Sequence, residues 1–376
     1  MIPNYKENNT INLLSSLLHG LGNKSKYPEL NKNLTEEIKK AKNVILLIID
    51  GLGSDSLKKL SKKSFLVKKK SQDLQSVFPS TTASAITSFY TGLAPKEHGV
   101  TGWYMNMKEF GAIVCLLPFI TRQKEKLVLT GRGPYLPEGI KIKMDYYNFL
   151  PKDYFKSQYN KHFGKGAKEI SFKTFTSMLT KIQKLTKENK KKYIYAYWPE
   201  FDSLCHEYGK TSKEAKEHLK ELNLALEKFA KKLKGTNTLL LITADHGQVV
   251  TSKKRTIVIN KHPLLKECLS APLCGEPRAA YCYVYPNKVQ QFEKYIKHKF
   301  KKQCTLYKSE ELIKEGYFGL GNPHLRLKDR LGDYVLIAKD NYIFRDFLIN
   351  EEIKYTPGHH GGTSSEEMVV PLIKIK

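Results

Sequence analysis

The chain has 376 residues, of which 40% are hydrophobic and 27% charged. That composition excludes wholesale disorder, and the length allows a sizeable core without disulfide or metal staples. Lys+Arg at 64 against Asp+Glu at 37 leaves a formal charge of +27, which attracts phosphate-bearing partners such as nucleic acid, an anionic membrane or a small phosphoester; a lysine-biased background would give the same balance.

In chain order, residues 11–18 form a short apolar stretch broken by polar residues. It lacks the basic flank and small-residue cleavage site of a signal peptide. After a polar, helical lead-in, Asn43–Ile49 is a continuous apolar run, the signature of a strand buried on both faces of a parallel sheet. It stops at Asp50-Gly51-Leu52-Gly53. Residues 58–70 read as a solvated basic helix and loop, and residues 104–190 as a less regular lid or substrate wall. Residues 193–198 run into Pro199-Glu200-Phe201-Asp202, and Thr238–Thr243 runs into Ala244-Asp245-His246-Gly247, with helical spacing over 212–233 between them. From 262 the pattern changes: weak alternation over 279–285, an amphipathic helix over 288–300, and a strand at Tyr334–Ala338. The predicted fold is α/β, a mostly parallel central sheet flanked by helices over 1–261 and 351–376, with a smaller α+β insert at 262–350. No apolar run approaches the ~20 residues of a membrane span. Six cysteines (Cys115, Cys205, Cys268, Cys274, Cys282, Cys304) show no paired CxxC spacing. A reducing, cytoplasmic setting is therefore expected.

Three strand ends carry acidic or acidic-plus-histidine clusters: Asp50, Asp202 with His206, and Asp245 with His246. A fourth cluster, Gly358-His359-His360-Gly361-Gly362, lies near the C-terminus. Carboxyl ends of strands in an open α/β sheet share one edge, where ligands bind. Together these groups offer enough ligands for two borderline metal ions, Zn²⁺ or Mn²⁺. Singly, each has a plainer explanation, because a strand-terminal Asp is often only a helix cap. A helix start is expected after Phe78-Pro79-Ser80-Thr81-Thr82, where a hydroxyl would meet free backbone N–H groups.

The ordered set Asp50-Gly51, Phe78-Pro79-Ser80-Thr81-Thr82, Thr91-Gly92-Leu93-Ala94-Pro95-Lys96-Glu97-His98-Gly99, Asp202 to Gly209, Asp245-His246-Gly247 and His360-Gly361-Gly362 resembles the alkaline phosphatase superfamily. Its nucleotide pyrophosphatase/phosphodiesterase branch matches best, over roughly 43–375. The resemblance implies an enzyme in which one metal ion is held by Asp50, Asp245 and His246, with Thr82 completing its coordination as the nucleophile. A second ion would be held by Asp202, His206 and His360. Zn²⁺ is the first expectation for both ions and Mn²⁺ the second. Thr81 is the alternative nucleophile, and His359 is left outside the ligand set. Ser80 stands where that pattern has Asn, and the phosphoryl-holding Asn is unmatched in Val100-Thr101-Gly102-Trp103, which leaves Asn106 as the substitute.

The expected activity is hydrolysis of a phosphodiester or pyrophosphate, nucleotide-type, through a phosphothreonine. A phosphonoacetate-type hydrolase, a monoester phosphatase and a phosphomutase are alternatives in the same superfamily. From another class, the charge could mark a nucleic-acid-binding protein on a degenerate hydrolase fold. Tyr104, Tyr146, Tyr147 and Tyr154 could stack on a base or serve only in packing.

Overall fold

The computed structural model describes residues 1–127, 136–349, 351–352 and 354–376. Asn43–Ile49 is buried at every position, as an unbroken aliphatic strand must be when both sheet faces are covered. It lies between Lys192–Trp198 and Thr238–Thr243 and runs parallel to both. Asp145–Pro151 and Lys168–Phe172 extend the sheet on one side, also parallel. Val369–Ile375 and Lys70–Gln75 extend it on the other. Val369–Ile375 is antiparallel to both its neighbours, so the seven-stranded sheet is mostly parallel, as predicted. Helix Lys213–Leu233 starts on a Ser212 cap and buries Ala215, Leu219, Leu222, Leu226, Phe229 and Leu233, one stripe at helical spacing.

A second seven-stranded sheet is antiparallel. Its order is Cys304–Lys308, Tyr334–Ala338, Ala279–Cys282, Cys274–Glu276, Tyr104–Met107, Ala112–Cys115 and Ile120–Thr121. The single wall expected over 104–190 is thus divided: 104–121 completes the small sheet, whereas 145–172 supplies two strands of the large one. Sequence pattern hid this split, because Asp145–Pro151 carries Tyr, Asn and Pro instead of an aliphatic run, and the strands at 104–121 are only two to four residues long.

Helix Val289–Lys299 covers one face of the small sheet through Phe292 and Ile296, against Cys282 and Leu336. The other face packs Tyr281 and Val335 with Phe78. The Phe78 ring lies 5.5 Å from that of Tyr317 and 5.2 Å from that of Phe318. The small sheet therefore grips the segment that leads into Thr82.

A buried ion pair joins the two sheets at a second point. Arg278 follows Cys274–Glu276, and its Nε and Nη2 donate to Glu367 Oε1 and Oε2 at 3.0 and 2.8 Å. Glu367 precedes Val369–Ile375 and also accepts the Gly362 N–H at 2.8 Å. Both side chains are essentially inaccessible, so removing one partner leaves an uncompensated charge, at a cost of about 3–5 kcal/mol. Arg278→Met should lower stability by about that amount in urea denaturation, and adding Glu367→Leu should recover part of the loss.

Candidate active site

The three central strands end side by side, and the next residues of each turn toward a common space. Asp50 follows Ile49, and its N–H donates to Trp198 O across the sheet. Asp245 follows the Thr238–Thr243 strand by one residue. Its Oδ1 accepts the N–H groups of Gly51 (3.1 Å) and His246 (3.0 Å). Asp202 and His206 lie on helix Glu200–Tyr208, one turn apart on one face. Gly51 has φ +71, and a Cβ there would stand 2.8 Å from Asp202 Oδ1. The Asp50-Gly51 pair is thus a steric requirement of bringing two carboxylates together.

Two buried carboxylate oxygens, Asp50 Oδ1 and Asp245 Oδ2, have no hydrogen-bond partner among the described residues. Both face His246 Nε2, at 3.4 and 3.5 Å, and Thr82 Oγ1 lies 3.0 Å from the same nitrogen. Next to this group, His206 Nε2 is 3.2 Å from Asp202 Oδ2 and 3.1 Å from His360 Nε2. Ligand atoms of Asp50, Asp245 and His246 lie within 4.8 Å of one another, as do those of Asp202, His246 and His360. The Nδ1 atoms of His206, His246 and His360 each face a backbone carbonyl, those of Gly358 (2.8 Å), Gly247 (3.0 Å) and Ser80 (3.2 Å). An N–H donated there leaves Nε2 as the ligating nitrogen, the usual arrangement around a metal-binding histidine.

Charge in this space is unbalanced. Burial, then repulsion from Asp245 and Asp202, raises the Asp50 carboxyl well above its ordinary range, although the Tyr197 hydroxyl donates to it. Burial would also raise Asp202, but His206 outweighs it and holds Asp202 far below the usual carboxylate range. Orphaned carboxylate oxygens, converging imidazoles and crowded negative charge fit a pair of divalent cations, and the Asp/His donor set suits Zn²⁺ or Mn²⁺.

Thr82 opens helix Thr82–Thr91 with Thr81 as its N-cap residue, so it sits at the positive end of the helix dipole. Thr81 turns the other way and donates to Glu276 Oε1 at 2.6 Å, which removes it from the cluster. Ser80 donates to Gly362 O at 2.8 Å and thereby ties the Thr82 segment to the His360 loop. His359 Nε2 faces Thr356 O at 3.0 Å, so only the second histidine of the pair enters the cluster. Asn106 does not enter it and is absent from the cavity wall. It shares a strand face with Tyr104 but stands two residues further along, opposite Ile113, beyond the residues that line the cavity.

The cluster forms the floor of a cavity of ≈ 1580 Å³. Tyr104 and Tyr154 line it, whereas Tyr146 stacks on Tyr193 inside the large sheet and Tyr147 lies beneath Lys168. Three residues that sequence reasoning passed over complete the site. Tyr197 donates to Asp50, Gln248 donates to Asp202, and Glu276 reaches Thr81. Tyr197 could have been found from its place at a strand end two residues before Pro199; nothing in the sequence singles out Glu276.

In metal-free protein a proton on His206 offsets the charge of Asp202. Burial opposes this, but Asp202 prevails and pushes His206 up to about 9, from an ordinary 6.5. A raised folded-state value stabilises the fold fully below about pH 6.5, and the benefit is lost as pH rises to about 9. The Tm of chelator-treated protein should therefore fall between those two pH values. His206→Asn should fall less, and added Zn²⁺ should flatten the wild-type curve.

No curated protein sequence matches the chain significantly. Among solved structures, murine ectonucleotide pyrophosphatase / phosphodiesterase 5 superposes with a TM-score of 0.68 at 19% identity, covering 88% of this chain and 87% of that one. An inactive threonine-to-alanine variant of the same mouse protein, in complex with AMP, gives 0.64 at 19% identity, with the same coverage. Phosphonoacetate hydrolase from Sinorhizobium meliloti 1021, in complex with phosphonoacetate, gives 0.65 at 17% identity, covering 89% and 90%. At these identities the likeness is one of fold. The comparisons lend no support to the nucleic-acid alternative, and no helix among the described residues is long and apolar enough to cross a membrane. The family described as type I phosphodiesterase / nucleotide pyrophosphatase matches residues 44–115 and 123–363, and the chain belongs to that hydrolase family.

Proposed function

We propose that the chain hydrolyses phosphodiester or pyrophosphate bonds of a nucleotide-type substrate, with Thr82 as the nucleophile. The observation that carries this reading is the Thr82 hydroxyl at a helix N-terminus, 3.0 Å from His246 Nε2 and beside the unpartnered oxygens of Asp50 and Asp245. The mouse relative's inactive threonine variant, bound to AMP, supports both the residue type and the substrate class.

Asp50, Asp245 and His246 would hold one divalent cation, and Asp202, His206 and His360 the other; Zn²⁺ is the first choice and Mn²⁺ the second. Such ions supply the positive charge that acidifies a ligated hydroxyl and neutralises phosphoryl oxygens. Thr82 Oγ1 then bonds to phosphorus while the ester oxygen departs and takes up a proton. Water cleaves the resulting phosphothreonine, which releases a monoester and returns the hydroxyl. The free N–H groups of helix Thr82–Thr91 face the transferred group. Tyr197 and Gln248 hold Asp50 and Asp202 in orientation.

The cavity favours a substrate with a bulky second substituent over a small phosphonate. Of the two guanidiniums that line it, the buried Arg122 is already engaged by Glu351 and Asp346 at 2.8–2.9 Å, which leaves it poorly placed to receive the extra charge of a monoester. A phosphonate reading keeps some support from the phosphonoacetate hydrolase likeness. Our reading places the enzyme in a reducing, cytoplasmic setting, in keeping with its six unpaired buried cysteines.

Thr82→Ala should lower kcat at least about 10³-fold without loss of fold, and Thr81→Ala should be far milder. On one metal-loaded preparation, kcat/KM for a nitrophenyl diester should exceed that for the matching monoester and for phosphonoacetate. A clear monoester preference would contradict the diester reading.

A further inference from the structure

The hairpin that carries Arg278 also delivers a carboxylate to the cavity. Gly275 pairs with Tyr104, which places the next residue, Glu276, against the segment 100–103, where no phosphoryl-holding asparagine is found. Glu276 Oε1 accepts the Trp103 N–H at 2.7 Å and the Thr81 hydroxyl at 2.6 Å. The residue is buried yet lines the cavity beside Thr82, and among the described residues its hydrogen bonds fall on Oε1 alone. Room for it comes from the loop bearing His360: Gly361 has φ +110, and a Cβ there would lie 2.4 Å from Glu276 Cβ. One carboxyl oxygen is thus fixed by two donors from the nucleophile's own neighbourhood, and the other is left for whatever occupies the cavity floor.

We infer that Glu276 is a selectivity-determining residue that disfavours dianionic phosphoryl groups and so directs the site toward diesters. This deepens the hydrolase reading above and rests on it. A diester carries one negative charge at phosphorus, whereas a monoester or free phosphate carries up to two near neutral pH. A fixed carboxylate in a buried pocket penalises the more highly charged ligand. Burial raises the Glu276 carboxyl to about 7, against the pull of Thr81 and the Trp103 amide, so the test belongs above that value. A purely architectural Glu276, anchoring Thr81 and Trp103, would affect stability without changing charge discrimination.

Glu276→Gln keeps the shape of the side chain and its acceptor toward both donors while removing the charge. At about pH 8.5, the variant's monoester-to-diester ratio of kcat/KM should rise about tenfold or more over wild type. Calorimetric binding of inorganic phosphate should tighten by a similar factor, a readout that needs no turnover. Glu276→Ala, checked for a retained cooperative melt, should shift both in the same direction. An unchanged ratio together with unchanged phosphate affinity in a folded variant would overturn the inference. Wild-type preference for the monoester bears on the diester reading alone, because the variant-to-wild-type ratio is independent of which substrate is favoured.

Discussion

Asp50 and Asp245 leave the ends of adjacent parallel strands, Asp202 lies in the first turn of the helix after the third, and the three buried carboxylates meet at the base of the cavity. Three ionised carboxylates so placed repel one another, and the sheet offers them too few donors. Oδ1 of Asp50 and Oδ2 of Asp245 accept nothing among the described residues. Such a concentration of charge is relieved either by protonation, as the raised Asp50 carboxyl shows for the metal-free protein, or by a cation among the three. Around this constraint the other features of the site fall into place. Three imidazoles are oriented through Nδ1 by carbonyl groups, a tyrosine and a glutamine steady two of the carboxylates, and a helix N-terminus carries the threonine.

The two sheets contribute differently. The large sheet is a rigid frame whose edge fixes where the proposed ligands stand. The small sheet reaches the same place indirectly: Phe78 is packed against it, Arg278 is locked to Glu367, and Glu276 is set beside Thr81 and Trp103. Glu367 also holds the Gly362 amide, so the loop bearing His360 is tied to the small sheet through one buried charge pair. Changes in the small sheet can therefore reach the Asp/His cluster without touching a proposed metal ligand. This is the arrangement expected when one chemistry is adapted to different substrates.

Much of this was legible in the chain itself. Unbroken aliphatic strands ending in Asp50 or in Asp245-His246 declare themselves, because a buried parallel strand has no polar residue until it leaves the sheet. Asp202 and His206 were readable from helical spacing, and the choice of Thr82 and His360 came from motif order. The structure separates Thr82 from Thr81, and His360 from His359, by what each side chain faces. What stayed hidden depends on tertiary pairing. Asn106 looked like the nearest polar substitute in sequence, but the strand carries it two residues beyond Tyr104, past the cavity wall. Glu276 sits in a three-residue strand with no periodicity to mark it, and only pairing with the segment at Tyr104 brings it to the cavity. Tyr146 and Tyr147 shared the aromatic signal of Tyr104 and Tyr154 but belong to a strand of the large sheet.

On this reading the buried carboxylates form a site for two cations. Anomalous diffraction from crystals of protein loaded with Zn²⁺ tests it most directly, because it gives both the number and the position of the ions. Two peaks are expected, one among Asp50, Asp245 and His246 and one among Asp202, His206 and His360. Fully loaded crystals with no peak at these residues, or with ions only elsewhere on the chain, would contradict it.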